Sequence, residues 1–224
     1  MITNEEWTKY RDTLKKINSK AAYEFQKHFM QEDKPLSEYD RNEIIDYAYA
    51  LCTKYGEASS ALACEMYDEI ARREGKHVPP AVPANTATIS EVGKAINGSF
   101  KQSESGALVE GVIQRLVKQP AADTTLQNSL RDGAQFAWIP SGMTCAFCLT
   151  LASRGWQNAS KAAIKGGHAE HIHANCDCQY AIRFNESTQV EGYDPSVYEK
   201  MYYSAEGKTP REKINSMRRE LTIE

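Results

Sequence analysis

The residues of this chain with the greatest capacity for chemistry lie between positions 138 and 184. Four of the six cysteines are there (Cys145, Cys148, Cys176 and Cys178), with three of the five histidines, His168, His171 and His173. Their order is C-x-x-C, a spacer of a little over twenty residues, then H-x-H-x-x-C-x-C. A C-x-x-C turn presents two thiolates to one metal ion, and tetrahedral zinc takes four sulfur or nitrogen ligands. The set that fits is Cys145, Cys148, His173 and Cys176, with Cys178 able to replace either of the last two. His168 and His171 over-supply the site. The alternative is a group of buried thiols that holds no metal.

Three catalytic readings compete with a structural metal, and each fails on order or number. His168-Ala169-Glu170 matches the H-x-E of zinc deaminases, but there H-x-E precedes a P-C-x-x-C; here the order is reversed and no proline precedes Cys145. A thiol nucleophile with a histidine base needs one activated cysteine, whereas four clustered thiols favour metal. Histidines and Asn175 beside a zinc knuckle suggest a treble-clef nuclease, but the order of base, asparagine and ligands is not met. The expectation is a non-enzymatic protein with structural Zn2+. A zinc hydrolase or thiol-dependent enzyme on the same cluster is the competing reading.

The elements around this cluster are short. Phe136-Ala137-Trp138-Ile139 and Tyr180-Ala181-Ile182-Arg183-Phe184 read as two strands, the second alternating, and Cys145 to Arg154 as a helix ended by Gly155. The rest of the chain reads as helix. Residues 3–31 repeat Trp7, Tyr10, Leu14, Ile17, Ala21, Phe25 and Phe29 at three- and four-residue steps behind a Thr3–Glu6 capping box, with Lys15, Lys16, Lys20 and Lys27 on a solvated face. After a break at Glu32-Asp33-Lys34-Pro35, a second helix is capped by Ser37 or Asp40. It runs to about Arg73, with a kink or division expected at Gly56 and a stop at Gly75. A short loop between two long helices implies an antiparallel hairpin.

Val78-Pro79-Pro80-Ala81-Val82-Pro83 must be extended and marks a boundary or crossover. Beyond it, a capping box at Thr88–Glu91 opens a helix toward Ile96, and Asn97-Gly98 is expected to turn the chain. A further helix carries Leu108, Val112, Ile113 and Leu116 and stops near Pro120. Asp123 then caps another, with Leu126, Leu130 and Phe136 inside. In the tail, Asp194-Pro195 and Thr209-Pro210-Arg211-Glu212 open two last helices. The fold class is mainly α: a long N-terminal helical hairpin and a small zinc-clasped α+β module with a two-stranded element. The divisions are 1–77 hairpin, 78–87 Pro-rich linker, 88–135 helical segment, 136–185 Cys/His module and 186–224 helical tail.

Composition narrows the class. A net charge of −3 gives no bulk attraction to nucleic acid or anionic membrane. No window approaches the eighteen or more apolar residues of a membrane span. Residues 1–6 are acidic and lack a signal-peptide core, so synthesis and retention in the cytosol are expected unless a larger particle carries the protein out. In that compartment clustered cysteines read as metal-binding or catalytic before disulfides. Cys52 and Cys64 lie twelve residues apart in one predicted helix, roughly 18 Å along its axis, and read as separate buried thiols.

C-x-x-C, a spacer, then His173-Ala174-Asn175-Cys176-Asp177-Cys178 resembles the carboxy-terminal motif of the Mu F-like minor head proteins of tailed bacteriophages, commonly H-P-N-C-R-C. His173, Asn175, Cys176 and Cys178 match; Ala174 and Asp177 stand where that motif has proline and arginine. The runs from Arg131 to Pro140 and from Thr144 to Leu149 are similar to minor capsid proteins of phages and prophages of Gram-positive bacteria. The resemblance implies a minor head protein in the virion, made in the host cytoplasm and oligomeric within the particle. It further implies portal or major capsid protein as partner, weak contact with packaged DNA at most, no membrane, and a role in head morphogenesis or DNA packaging and ejection.

Overall fold

The computed structural model describes residues 2–29, 35–103, 105–141, 144–162 and 177–221. Helix α1 (Asn4–Phe29) begins at the expected capping box, in which the Glu6 amide donates to Thr3 Oγ1 (3.2 Å) and the Thr3 amide to the Glu6 carboxylate (3.0 Å). Helix α2 (Arg41–Arg73) is capped by Asp40, which accepts from the Asn42 and Glu43 amides, and ends before Gly75 (φ 64°). The two form the expected antiparallel hairpin. Arg73 at the end of α2 pairs with Glu6 at the start of α1 (2.6 Å), and Tyr55 donates to Glu24 midway.

The division expected at Gly56 does not occur: α2 is continuous through it. Glycine is needed there for close approach, because an added Cβ would lie 2.8 Å from Thr86 Cγ2 and 3.3 Å from Pro120 Cγ. Cys52 and Cys64 stay apart on this unbroken helix, and burial pushes the Cys52 thiol up to about 12.

The chain that reaches Gly56 at Thr86 continues the extended segment expected at Val78–Pro83. It is a strap bonded side chain to backbone. The Ala81 amide donates to Asp68 Oδ1 (2.8 Å), the Val82 amide to Asn128 Oδ1 (2.9 Å) and the Ala84 amide to Thr124 Oγ1 (2.9 Å). Asn128 Nδ2 donates back to the Val82 carbonyl (2.9 Å), so one amide side chain does for Val82 what a neighbouring strand would. Arg131 adds bonds to the Pro79 and Pro80 carbonyls (2.8 and 3.1 Å).

Helices α3 (Ile89–Gln102) and α4 (Val109–Asp132) each run past an expected end. Asn97-Gly98 is helical rather than a turn, because Val92, Ile96 and Ser99 continue one buried face across it. Pro120 does not stop α4, and Asp123 lies inside it rather than capping a new helix. An internal proline costs roughly 3 kcal/mol, and here buried side chains on both sides of it (Leu116, Val117, Ala121, Leu126) outweigh that cost.

The sheet has three strands, not two. Strand β1 (Gln135–Ile139) lies between β2 (Gln157–Asn158) and β3 (Gln179–Arg183), antiparallel to both. Helix α5 (Ala146–Ala152) connects β1 to β2. Strand β3 is buried at every position rather than on alternate ones, its Arg183 lying over the Trp156 ring and donating to Gln135 Oε1 (2.7 Å). Helices α6 (Pro195–Ser204) and α7 (Pro210–Leu221) close the chain at the expected caps, and Ile2 bridges Val190. The fold is mainly helical with one small antiparallel sheet. Among the described residues, no helix is long and apolar enough to cross a membrane.

Two apolar cores lie along α1, α2 and α4. One, all helix, gathers Phe25, Phe29, Ile44, Val92, Ile96, Val109, Ile113 and Val117. The other packs Trp7, Tyr10, Leu14, Tyr67 and Leu126 under the sheet residues Phe136, Trp138, Tyr180 and Ile182, and includes Cys148 and Cys178.

Candidate metal centre

The pairing of β1 with β3 is what gathers the thiols. Their register sets Ile139 opposite Gln179 and Trp138 opposite Tyr180, whose rings meet edge to face with centroids 4.5 Å apart. Cys178 immediately precedes β3, at the end of the sheet where β1 hands the chain on to α5. There Thr144 Oγ1 lies 3.8 Å from Cys178 Sγ. A separation of 30 residues between Cys148 and Cys178 is thus closed by a five-residue ladder.

Helix α5 places the other two. Cys145 is its extended N-cap residue (φ −69°, ψ 155°), and Cys148 points inward from the first turn. The helix forms because Ala146, Cys148, Leu149, Leu151 and Ala152 are buried together, one side against the sheet core and the other against Met217 of α7. Cys148 and Cys178 are fully buried and Cys145 half-buried in the same apolar cluster. Tyr198 of α6 is next to them: burial first, then Cys178 and Asp194, raise its phenol above the ordinary value.

Of the five expected ligands, Cys145, Cys148 and Cys178 are therefore brought to one end of the sheet. His173 and Cys176 lie outside the described residues, as do His168 and His171. Among the described residues no three of His, Cys, Asp or Glu gather closely enough to hold a metal ion. The sulfur-rich donor set suits zinc in kind, but a closed site needs ligands from beyond those residues.

Asp177, between Cys176 and Cys178, holds this corner to the helices. Its Oδ2 is 3.0 Å from Lys15 Nζ of α1, and its Oδ1 is 3.8 Å from Lys118 Nζ of α4. Lys15 belongs to the face expected to be purely solvated, and it is indeed exposed, but Lys118 is only 7% exposed. Sequence reasoning missed this pair. The available signal was a lysine set among the apolar residues Ile113, Leu116, Val117 and Ala121.

A second concavity, about 720 Å³, opens between the strap, α3 and α4. Its walls balance Lys94 and Arg115 against Glu91 and Asp123, and it is lined by neither cysteine nor histidine.

The family model described as VG15 protein matches residues 1–205, which span both cores, the strap, the sheet and every candidate ligand. The chain belongs to the VG15 protein family. VG15 is a viral gene protein family, which agrees with the phage resemblance of the cysteine motif at that level and points to a phage protein. The match ends just after α6, so α7, which covers the outer side of α5, lies beyond the matched residues. No curated protein and no solved structure matches the chain.

Proposed function

We propose that this VG15 protein is a non-enzymatic minor head protein of the Mu F-like kind. In this reading it is carried in the virion in association with portal or major capsid protein, and it acts in head morphogenesis or DNA packaging and ejection. Cys145 and Cys148 hold a structural Zn2+ together with two of His173, Cys176 and Cys178. Zinc bonds join the start of β3 to the start of α5 and stabilise a sheet whose strands are too short to stand alone.

The observation that carries this reading is the meeting of Cys178 with Thr144. It brings the second half of the motif against the first in a chain whose family is viral. The measurement is metal content of the purified full-length protein. One zinc per chain is expected, with ejection by a thiol-modifying reagent. Less than about half an equivalent in protein with reduced thiols overturns the zinc assignment. For the head assignment, co-expression with the portal and capsid proteins of the same phage is expected to give particles that contain the chain; particles without it overturn that part.

A further inference from the structure

We infer that the outer face of α1 is a binding surface for the phosphate backbone of double-stranded DNA. The inference rests on neither the zinc assignment nor the head assignment.

Along one side α1 buries Trp7, Leu14, Ala21 and Phe25. Opposite them stand Lys9, Lys16, Lys20 and Lys27, all exposed, with Tyr23 among them at 61% exposure. At about 100° per residue the four lysines fall within roughly 40° of one another around the axis, and they extend about 27 Å along it. Among the described residues none of the four is ion-paired. Lys15, about a quarter turn round the helix, is left out of this row because Asp177 meets its charge.

The acids of α1 do little to neutralise the row. Glu6 is bound to Arg73, Glu24 to Lys54 and Tyr55, and Asp12 lies 4.0 Å from Arg11. Glu5 stands apart from the row's centre, in the first turn. Glu110 of α4, which reaches α1 at Gln26, accepts from both Gln26 and Gln114. Lys16 and Lys20 are one turn apart, and like charges so placed weaken a helix, so this face does not serve the stability of α1. On α2, by contrast, Glu43, Asp46, Glu57 and Glu65 are exposed. A chain of net charge −3 thus concentrates positive charge in one strip.

The chemistry of the strip selects the partner. A helix that lies on a membrane needs a free apolar face, and the apolar face of α1 is taken up by the two cores. Protein interfaces are anchored by apolar and aromatic groups and are depleted in lysine, and here Tyr23 is the one large apolar side chain in the row. Single-stranded nucleic acid is held by successive aromatic rings, and one ring makes no such platform. The strip suits a rigid polyanion. Duplex DNA carries a phosphate charge about every 1.7 Å of axis, so a straight row of lysines meets phosphates whatever the sequence or register.

The test is fluorescence anisotropy of a labelled duplex of arbitrary sequence, titrated with the full-length protein at rising salt. Four phosphate contacts give an expected slope of log K against log[salt] of about −3 to −4, and a loss of roughly a hundredfold between about 50 and 200 mM salt. The variant Lys16→Gln/Lys20→Gln/Lys27→Gln is expected to bind about tenfold or more weakly at about 50 mM salt, with a slope near about −1. Lys20→Gln alone should reduce the slope by about one. The control Lys76→Gln/Lys101→Gln/Lys208→Gln removes the same charge from exposed sites elsewhere. It should stay within about threefold of wild type with an unchanged slope. Circular dichroism of both triple variants is expected to match wild type, since all six side chains are exposed. Three results overturn the inference: no duplex binding by wild type at about 50 mM salt, wild-type affinity and slope in the α1 variants, or an equal loss in the control. Tighter binding to a single strand, to phosphatidylserine vesicles or to polyglutamate than to the duplex also overturns it, and gives the face to that other partner. Zinc content and particle assembly are read separately and are untouched by any of these outcomes.

Discussion

Where α1 to α4 pack on one another, the core is closed by large apolar side chains from four helices, each element meeting at least one other over several turns. Under the sheet, five-residue strands, a seven-residue helix and the same long helices share a core into which cysteines, a buried arginine and a buried lysine are admitted. The first region gains its stability from area removed from water, which accumulates over every residue of a helix face. The second has too little length in each strand for that and relies on specific bonds: cross-strand rings, Arg183 to three partners, Asp177 to two helices, and in our reading a metal. A region of the first kind tolerates loss of any one polar contact. A region of the second kind is sensitive to single groups.

The largest effect should come from striking the apolar core. Phe25→Ala empties a fully buried site and is expected to cost about 3–5 kcal/mol in denaturant unfolding. All three tryptophans pack at the sheet end, so their fluorescence reports that core alone. If fluorescence and helical circular dichroism of this variant unfold together, the two cores are one cooperative unit despite their different construction. Separate transitions would make them independent.

A smaller effect tests the polar contact that fastens the strap to α4, on the sheet-core side of that helix. Asn128→Ala removes both bonds to Val82 and one to the Thr124 carbonyl, and should cost about 2 kcal/mol by the same measurement. A cost below about 0.5 kcal/mol would mean that packing alone holds the strap, and the contrast between the regions would weaken.

The smallest effect is electrostatic. Glu6 is held at about 2, first by its bond to Arg73 and then by the Thr3 amide. A depressed folded value means that its stabilisation is present above the unfolded carboxylate range and is lost as pH falls toward 2. Because the pair is solvated, Glu6→Gln should lower Tm only slightly at pH 6, less so at high salt, and still less as pH falls through 2. A difference from wild type that is undiminished at pH 2 would show that the side chain acts through something other than its charge.

What could be read from the chain follows the same contrast. The amphipathic stripes of α1 and α2 and the caps at Thr3, Asp40, Thr88 and Asp194 are local patterns, and they formed where expected. Pro120 and Asn97-Gly98 misled because their local preferences are overridden by burial that only the assembled helices supply. Strand β2 was not legible: two polar residues, Gln157 and Asn158, have no period, and they join the sheet through backbone pairing with Gln135 and Phe136. At the candidate centre, residue types and spacing selected Cys145, Cys148, His173 and Cys176, with Cys178 as a substitute; the structure brings the segments of Cys145, Cys148 and Cys178 to one end of the sheet, and His173 and Cys176 lie outside the described residues. The Lys118–Asp177 pair spans 59 residues and carries no local pattern at all.

The strap has a consequence for how the chain is made. Residues 79–84 leave the ribosome well before most of the side chains that fasten them, since Thr124, Asn128 and Arg131 come 40 to 52 positions later and Asp68 of α2 alone of the four precedes them. Until α4 is synthesised, the strap has the Ala81–Asp68 bond but none of its bonds to α4, and the surface meant for α4 is exposed. Non-local closures of this kind are made late and slowly. A nascent chain stalled before residue 124 should therefore be open to protease at the strap, and one stalled beyond 131 with its last helix clear of the exit tunnel should be closed.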